Sequence, residues 1–246
     1  MNDKVYIHEF IAITGQNRAR YMHHMTANWS PIAQEERGQL CFGVWGVVGT
    51  TGRWPEVVNL WEEDGFAGLA RSLGHETGRP SLQDEKLEKW WAEAANLRSG
   101  GTDRVLLPAP WSPTIAESCA AGIRGQVYAH EMVTVQRGTA RDFLSLVRDE
   151  AVPAYARHGW QPVGAFRTAM ADESECVLVW AIPSWEQWAD FESALEADSP
   201  LRAWQRRLYG ASLSSRRFLM NDAPLSPLRI GRQPSRADRT EGWSDL

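Results

Sequence analysis

The sequence predicts an α+β fold built from two fused ferredoxin-like units, and three observations carry that prediction. A five-residue phrase is written twice, "VYIHE" from Val5 and "VYAHE" from Val127. The repeat then runs far beyond it. Pro31 answers to Pro153 at the same offset of 122, Gly38, Gly43 and Trp45 answer to Gly159, Gly164 and Phe166 at 121, and Trp61 answers to Trp180 at 119. Within each copy, finally, the hydrophobic pattern changes between strand and helix periods in the order β-α-β-β-α-β. "APWSP" from Ala109 meets "APLSP" from Ala223 at an offset of 114, so the first copy carries eight more residues, mostly between Leu73 and Gly101. The chain divides into a first repeat (1–113), a linker (114–126), a second repeat (127–227) and a C-terminal tail (228–246). The tail mixes Arg, Pro, Ser and acids without periodicity and is expected to be flexible, or ordered only against a neighbouring subunit.

Each element follows from its local pattern. "KVYIHEFIAIT" alternates and is rich in β-branched residues, as a strand should be. "QNRARYMHHMTANWSPIAQEER" has helical spacing, and "LCFGVWGVVG" and "EVVNLWEE" are strands joined by the turn-rich "TTGRWP". Helices over 66–73 and 82–97 lead to a last strand at "RVLLPA". The second copy gives strand "QVYAHEMVTV", helix "ARDFLSLVRDEAVPAYARH", strands "PVGAFRTAM" and "ECVLVWAI", helices "SWEQWADFESALEA" and "LRAWQRRLYG", and strand "RRFLMN". One such unit covers only one face of its sheet with helices, so the other apolar face must be buried against something. The second copy supplies that partner. Two sheets facing each other across a pseudo-dyad give a barrel-like body with helices outside and room for a cavity between the sheets.

Residues and motifs in both copies resemble the NIPSNAP family of the dimeric α+β barrel superfamily. These are "VYIHEF" opening a strand, "GVWGVVGTTGRWPEVVNLWEED" with its closing "LW", and "GAFRTAMADESECVLVWAI" in the second half. Glu9 and Glu131 stand where that family carries an arginine. The superfamily includes cofactor-independent monooxygenases, isomerases, cyclases, haem-binding members and regulators, so the resemblance implies the fold and leaves the reaction open.

Strand parity sorts the candidate site residues. Neighbours on a strand point to opposite faces. Val5, Ile7, Ile11 and Ile13 therefore share a face with Glu9, and Tyr6, His8 and Phe10 share the other; Tyr128 and His130 repeat this in the second copy. The aliphatic faces should meet the helices, which turns Tyr6, His8, Tyr128 and His130 toward the interior. Histidine titrates near neutrality and tyrosine can donate to a developing oxyanion, so these four are the candidate catalytic residues. The competing reading of the same four is symmetric packing, with the polar groups satisfying buried partners. Trp45, Asn59, Trp61, Phe166, Trp180 and His24 are the candidate substrate-binding residues. Asn59 and His24 are chosen because the second copy has Leu178 and Leu146 in their places, and a single active site needs an asymmetry between the copies.

Other chemistry is excluded. A net charge of −5 gives no positive field for nucleic acid or anionic membranes. Three widely spaced cysteines form neither a disulfide framework nor a zinc motif. His8 and Glu9 point apart and cannot share a metal, and no ligands stand at helical or turn spacing, so neither metal nor cofactor is expected. No phosphate loop or nucleophile elbow occurs. The start has no signal-peptide pattern and no run of eighteen apolar residues occurs, which leads to the expectation of a cytoplasmic protein. The expected partner is a small-molecule substrate, with a homodimer compatible with the sequence. The function expected is cofactor-independent acid/base chemistry (a lyase, isomerase, cyclase or oxygenase) on a hydrophobic substrate held between the repeats. The alternatives are a NIPSNAP-like binding or scaffold protein and a haem-binding protein.

Overall fold

The computed structural model describes residues 2–78, 80–81, 84–170 and 172–239. In the first half, β1 (Val5–Ile13) is followed by α1 (Arg18–His23), a π-helical turn (His24–Trp29) and α2 (Ser30–Arg37). Then come β2 (Leu40–Val47), β3 (Glu56–Glu63), α3 (Gly65–Thr77), α4 (Glu88–Leu97) and β4 (Arg98–Pro108). A short linker helix, α5 (Ile115–Ala120), is fixed by a reciprocal cap between Thr114 and Glu117. The second half repeats the order with β5 (Val127–Thr134), α6 (Ala140–Leu146), a π-helical turn (Val147–Ala151), α7 (Val152–Ala156), β6 (Gln161–Thr168), β7 (Glu175–Ile182), α8 (Trp185–Ala194), α9 (Ser199–Ala211) and β8 (Ser214–Asp222). A last turn of helix, α10 (Pro227–Ile230), follows. The two π turns occupy equivalent places just before Pro31 and Pro153. A proline has no amide hydrogen to give and crowds the carbonyl four residues back, and a widened turn relieves both problems.

The eight strands form one closed antiparallel barrel in the order β1-β3-β2-β8-β5-β7-β6-β4. Each half contributes a ferredoxin-like quartet, 4-1-3-2, and the quartets join edge to edge at β2 with β8 and at β4 with β6. The expected intramolecular α+β barrel is thus a single sheet closed on itself, which leaves no strand edge unpaired. The α+β class and the fused ferredoxin-like units are as the repeat indicates. Three apolar clusters result. One fills the barrel, and one lies under the helices of each half.

Parity works as the alternation dictates. Tyr6, Phe10, Tyr128 and Met132 point into the barrel, and Val5, Ile11, Val127 and Val133 are buried on the outer face. The halves interlock inside, because Tyr6 packs on Phe166 of the second half (4.8 Å between rings) and Tyr128 on Trp45 of the first (5.8 Å). Gly43 and Gly164 make room for this: a Cβ at either would collide with the ring of Trp45 or Phe166, two residues on. Ile115 of α5 and Leu228 of α10 join the interior cluster, so the linker and the start of the tail close one end of the barrel.

The described part of the tail lies against the first half. The Gln233 side chain pairs with both the amide and the carbonyl of Cys41, Arg236 forms an ion pair with Glu35 at 2.7 Å, and Arg239 donates to the carbonyls of Ala27 and Asn28. The expectation of a flexible segment bears on 240–246 only outside the described residues. No helix among the described residues is long and apolar enough to cross a membrane.

Candidate functional site

The interior that the sequence marks as a cavity is filled. An eight-stranded barrel is just wide enough for its inward side chains to pack it. Tyr6, His8, Tyr128 and His130 are each at most 1% exposed. His8 Nε2 and His130 Nε2 stand 2.9 Å apart at the pseudo-dyad, so one ring donates its N–H to the other's lone pair. His130 stacks on Phe218 at 4.6 Å, and His8 meets Phe10 edge-on at 4.8 Å. Burial, with Arg104 nearby, pushes the His8 imidazole down to about 3; burial, then His8 itself, pushes His130 well below the usual histidine range. Both rings are therefore neutral at pH 7. Tyr6 donates to Glu62 at 2.9 Å and Tyr128 to Asp222 at 3.4 Å, and burial first, then those acids, raises both phenols. The four residues share the buried barrel interior, where His8 meets His130 and the two tyrosines reach separate acids, Glu62 and Asp222.

The remaining candidates divide across the barrel wall. Trp45 and Phe166 point inward with the histidines. Asn59, Trp61 and Trp180 point outward, and His24 lies between helices, where it stacks on Trp90 at 5.0 Å and approaches Asn28 at 3.1 Å. Asn59 Nδ2 and Trp61 Nε1 both donate to the Glu9 carboxylate at 2.8 Å, and Asn59 Nδ2 also reaches the Tyr21 hydroxyl at 2.9 Å. No single cavity can hold the whole set, because the inward and outward faces of the strands lie on opposite sides of the barrel wall.

The structure does assemble a polar site on the outer face of the second half. Between α9 and strands β5 and β8 lies a cavity of about 150 Å³, walled by Leu195, Leu201 and Leu208. Glu131, Tyr155, Trp204 and Arg217 form its polar floor. Arg217 Nε donates to Glu131 Oε1 at 2.8 Å and its Nη2 lies 2.7 Å from the same oxygen. The Tyr155 hydroxyl accepts from Trp204 Nε1 at 3.2 Å and from Arg217 Nη2, and donates to Glu131 Oε1 at 3.4 Å. The guanidinium lies over the rings of Tyr155, Trp160 and Phe191 at 5.2 to 5.4 Å, where the negative ring faces attract it. Burial raises the Tyr155 hydroxyl against the pull of Arg217 and with help from Glu131, so the phenol keeps its proton. Burial also works against the Arg217 charge, but Tyr155, Glu131 and Glu192 outweigh it and hold the guanidinium protonated. The result is a fixed cation, a fixed proton donor and a carboxylate at the base of an apolar cleft.

The first half does not reproduce this. Register places Asn59 and Asp103 beside Glu9 where the second half has Leu178 and Arg217 beside Glu131. Burial, and then the neighbouring Asp103, raises the Glu9 carboxyl above its usual range, and burial raises Asp103. Two wider, more open clefts of about 510 and 520 Å³ lie over β4 and the β6–β7 turn, lined by the ion pairs Arg167–Glu173 and Arg104–Glu175, each at 3.0 Å.

Sequence reasoning turned Glu131 away from the interior and stopped there. It missed Tyr155 and Arg217. Parity on "RRFLMN" could have found Arg217, since Phe218 and Met220 must point inward and Arg217 must then share the outer face with Glu131.

No protein-family model matches the chain, and no curated protein is similar to it in sequence. Solved structures share its fold. A provisional monooxygenase from Lactobacillus acidophilus superposes with a TM-score of 0.59 at 10% identity, over 96% of this chain and 97% of that one. An anthrone oxidase-like protein gives 0.59 at 9% identity, over 90% and 92%. A provisional monooxygenase from Fusobacterium nucleatum gives 0.53 at 6% identity, over 89% and 92%. A NIPSNAP family protein from Agrobacterium tumefaciens is 23% identical over 43% of this chain and 95% of its own, with a TM-score of 0.38. This chain shares the fold of the first three, a closed eight-stranded α+β barrel, with both halves in one polypeptide.

Proposed function

We propose that the protein is a small-molecule enzyme of the cofactor-independent oxygenase type, with its active site in the cavity beneath α9. The observation that supports this reading is the Glu131–Arg217–Tyr155–Trp204 network at the floor of an apolar cleft, present in one half only. The substrate class is a flat, largely apolar molecule with an acidic C–H or O–H beside a carbonyl or phenol oxygen, as in an anthrone. The leucine walls bind the ring that carries the reacting carbon, since about 150 Å³ holds a single ring and the rest of the molecule extends out of the cleft. Glu131 takes the proton, the Tyr155 hydroxyl passes it on, and the positive charge of Arg217 stabilises the enolate left behind.

Such an anion can give its electrons to dioxygen without a metal. For an anthrone, one oxygen atom stays on the carbon as a new carbonyl and the other leaves as water with the two hydrogens of the oxidised methylene. Oxygen uptake with a hydroxylated anthrone tests the reading. The wild type should consume one dioxygen per substrate, and Tyr155→Phe should lose most of the rate while keeping the wild-type circular dichroism. Absence of uptake over a panel of anthrones and phenols, or an unchanged rate in Tyr155→Phe, would overturn it.

A further inference from the structure

We propose that Glu36, His75 and Asp84 form a binding site for a divalent transition-metal ion of the zinc type, on the first half and independent of the cavity beneath α9. The three residues come from three separate places: the last turn of α2, the last turn of α3, and the cap of the single 3₁₀ turn over Glu85–Leu87. His75 Nε2 lies 3.0 Å from Asp84 Oδ2 and 3.6 Å from Glu36 Oε2, and the three donor atoms all lie within 4.8 Å of one another. A tetrahedral ion with bonds of about 2.0–2.1 Å holds its ligands about 3.4 Å apart, so small rotations of the side chains bring all three into coordination.

The chemistry of the set points the same way. One imidazole nitrogen faces two carboxylates, and a single N–H can serve only one of them well. A dication serves both, and with a neutral imidazole the two acids balance its charge. Mixed nitrogen and oxygen ligands suit zinc better than calcium or magnesium, which take oxygen alone. Arg37, the nearest cation on α2, is engaged by Glu76 at 2.9 Å and leaves Glu36 to the site. Burial is graded from fully buried Asp84 through half-buried His75 to exposed Glu36, so the ion can enter from the Glu36 side and keep a water as its fourth ligand.

The location gives the site a role. His75 and Asp84 both fall in the stretch between Leu73 and Gly101, where the first half is longer than the second. An ion there ties that extra segment to α2. The set is invisible in the sequence because the ligands stand 9 and 39 residues apart, separations that match no metal motif and are closed only by the packing of α2 on α3.

The test uses the full chain, stripped with a chelator, exchanged into metal-free buffer and titrated with zinc chloride by calorimetry. One equivalent should bind, and cobalt(II) should give the visible absorption of a four-coordinate site. His75→Ala and Glu36→Gln should each weaken binding by at least about tenfold while leaving circular dichroism unchanged. Binding weaker than about 100 μM, or tight binding that survives both substitutions, would overturn the proposal and leave His75 and Asp84 as an ion pair only.

Discussion

Replacing both interior histidines with leucine should flatten the acid side of the stability profile. In the folded protein His8 is pushed down to about 3 from an ordinary 6.5, and His130 is lowered as well. The unfolded chain therefore binds protons below pH 6.5 that the native barrel refuses. Stability is full above the unfolded value, falls as pH drops through 6.5, and goes on falling until the folded value is reached. Such a group costs on the order of 1 kcal/mol per pH unit, so His8 alone removes about 2 kcal/mol between pH 6.5 and 4.5. His130 adds in the same direction. The buried acids Glu9, Glu56, Glu62, Glu63 and Asp103, raised chiefly by burial, act oppositely and gain stability as pH falls. They are common to both proteins and cancel in the difference. Urea unfolding of the wild type and of His8→Leu/His130→Leu at pH 7 and 4.5 measures it. The wild type should lose about 2 kcal/mol or more beyond the loss of the double variant. Parallel losses would mean that the imidazoles are charged or solvated inside the barrel, and the account of a neutral sealed pair would fail.

Three further outcomes follow from the packing. Gly43→Ala should cost about 1–3 kcal/mol in urea unfolding, because the new methyl displaces the Trp45 ring from Tyr128, and near-ultraviolet dichroism should change with it. Arg217→Met should cost about 3 kcal/mol, toward the low end for a broken buried pair because the Arg217 side chain keeps 23% exposure; adding Glu131→Gln should recover much of that loss. Truncation after Ile230 removes the contacts of Gln233, Arg236 and Arg239 with the first half and should lower the melting temperature by a few degrees, while an unchanged value would show the tail to be energetically idle.

Much of the fold was legible because its rules are local. Alternation on "VYIHEFIAI" and "VYAHEMVT" is enough to send tyrosine and histidine inward and glutamate outward, and the structure agrees for Tyr6, His8, Phe10, Tyr128, His130 and Met132 inside and for Glu9, Ile11, Val127, Glu131 and Val133 outside. The aromatic residues that follow Gly43 and Gly164 were visible as a repeated pair, though their ring-over-glycine packing was not. The site was less legible. The network of Glu131, Tyr155, Trp204 and Arg217 draws on four elements, and nothing in the spacing of those residues marks them as neighbours.

By itself the sequence determined that two ferredoxin-like units are fused and which side chains of their first strands face the interior. Those features depend on periods of two and 3.6 residues and on a repeat that any short window displays. Only the tertiary structure decided which edges close the barrel, β2 with β8 and β4 with β6, that its interior is packed by buried side chains, and that the polar cleft lies outside it in the second half. Closure depends on edges some 180 residues of chain apart in places, such as β2 against β8, and interior volume depends on strand number and the sizes of all inward side chains together. No local pattern carries either quantity.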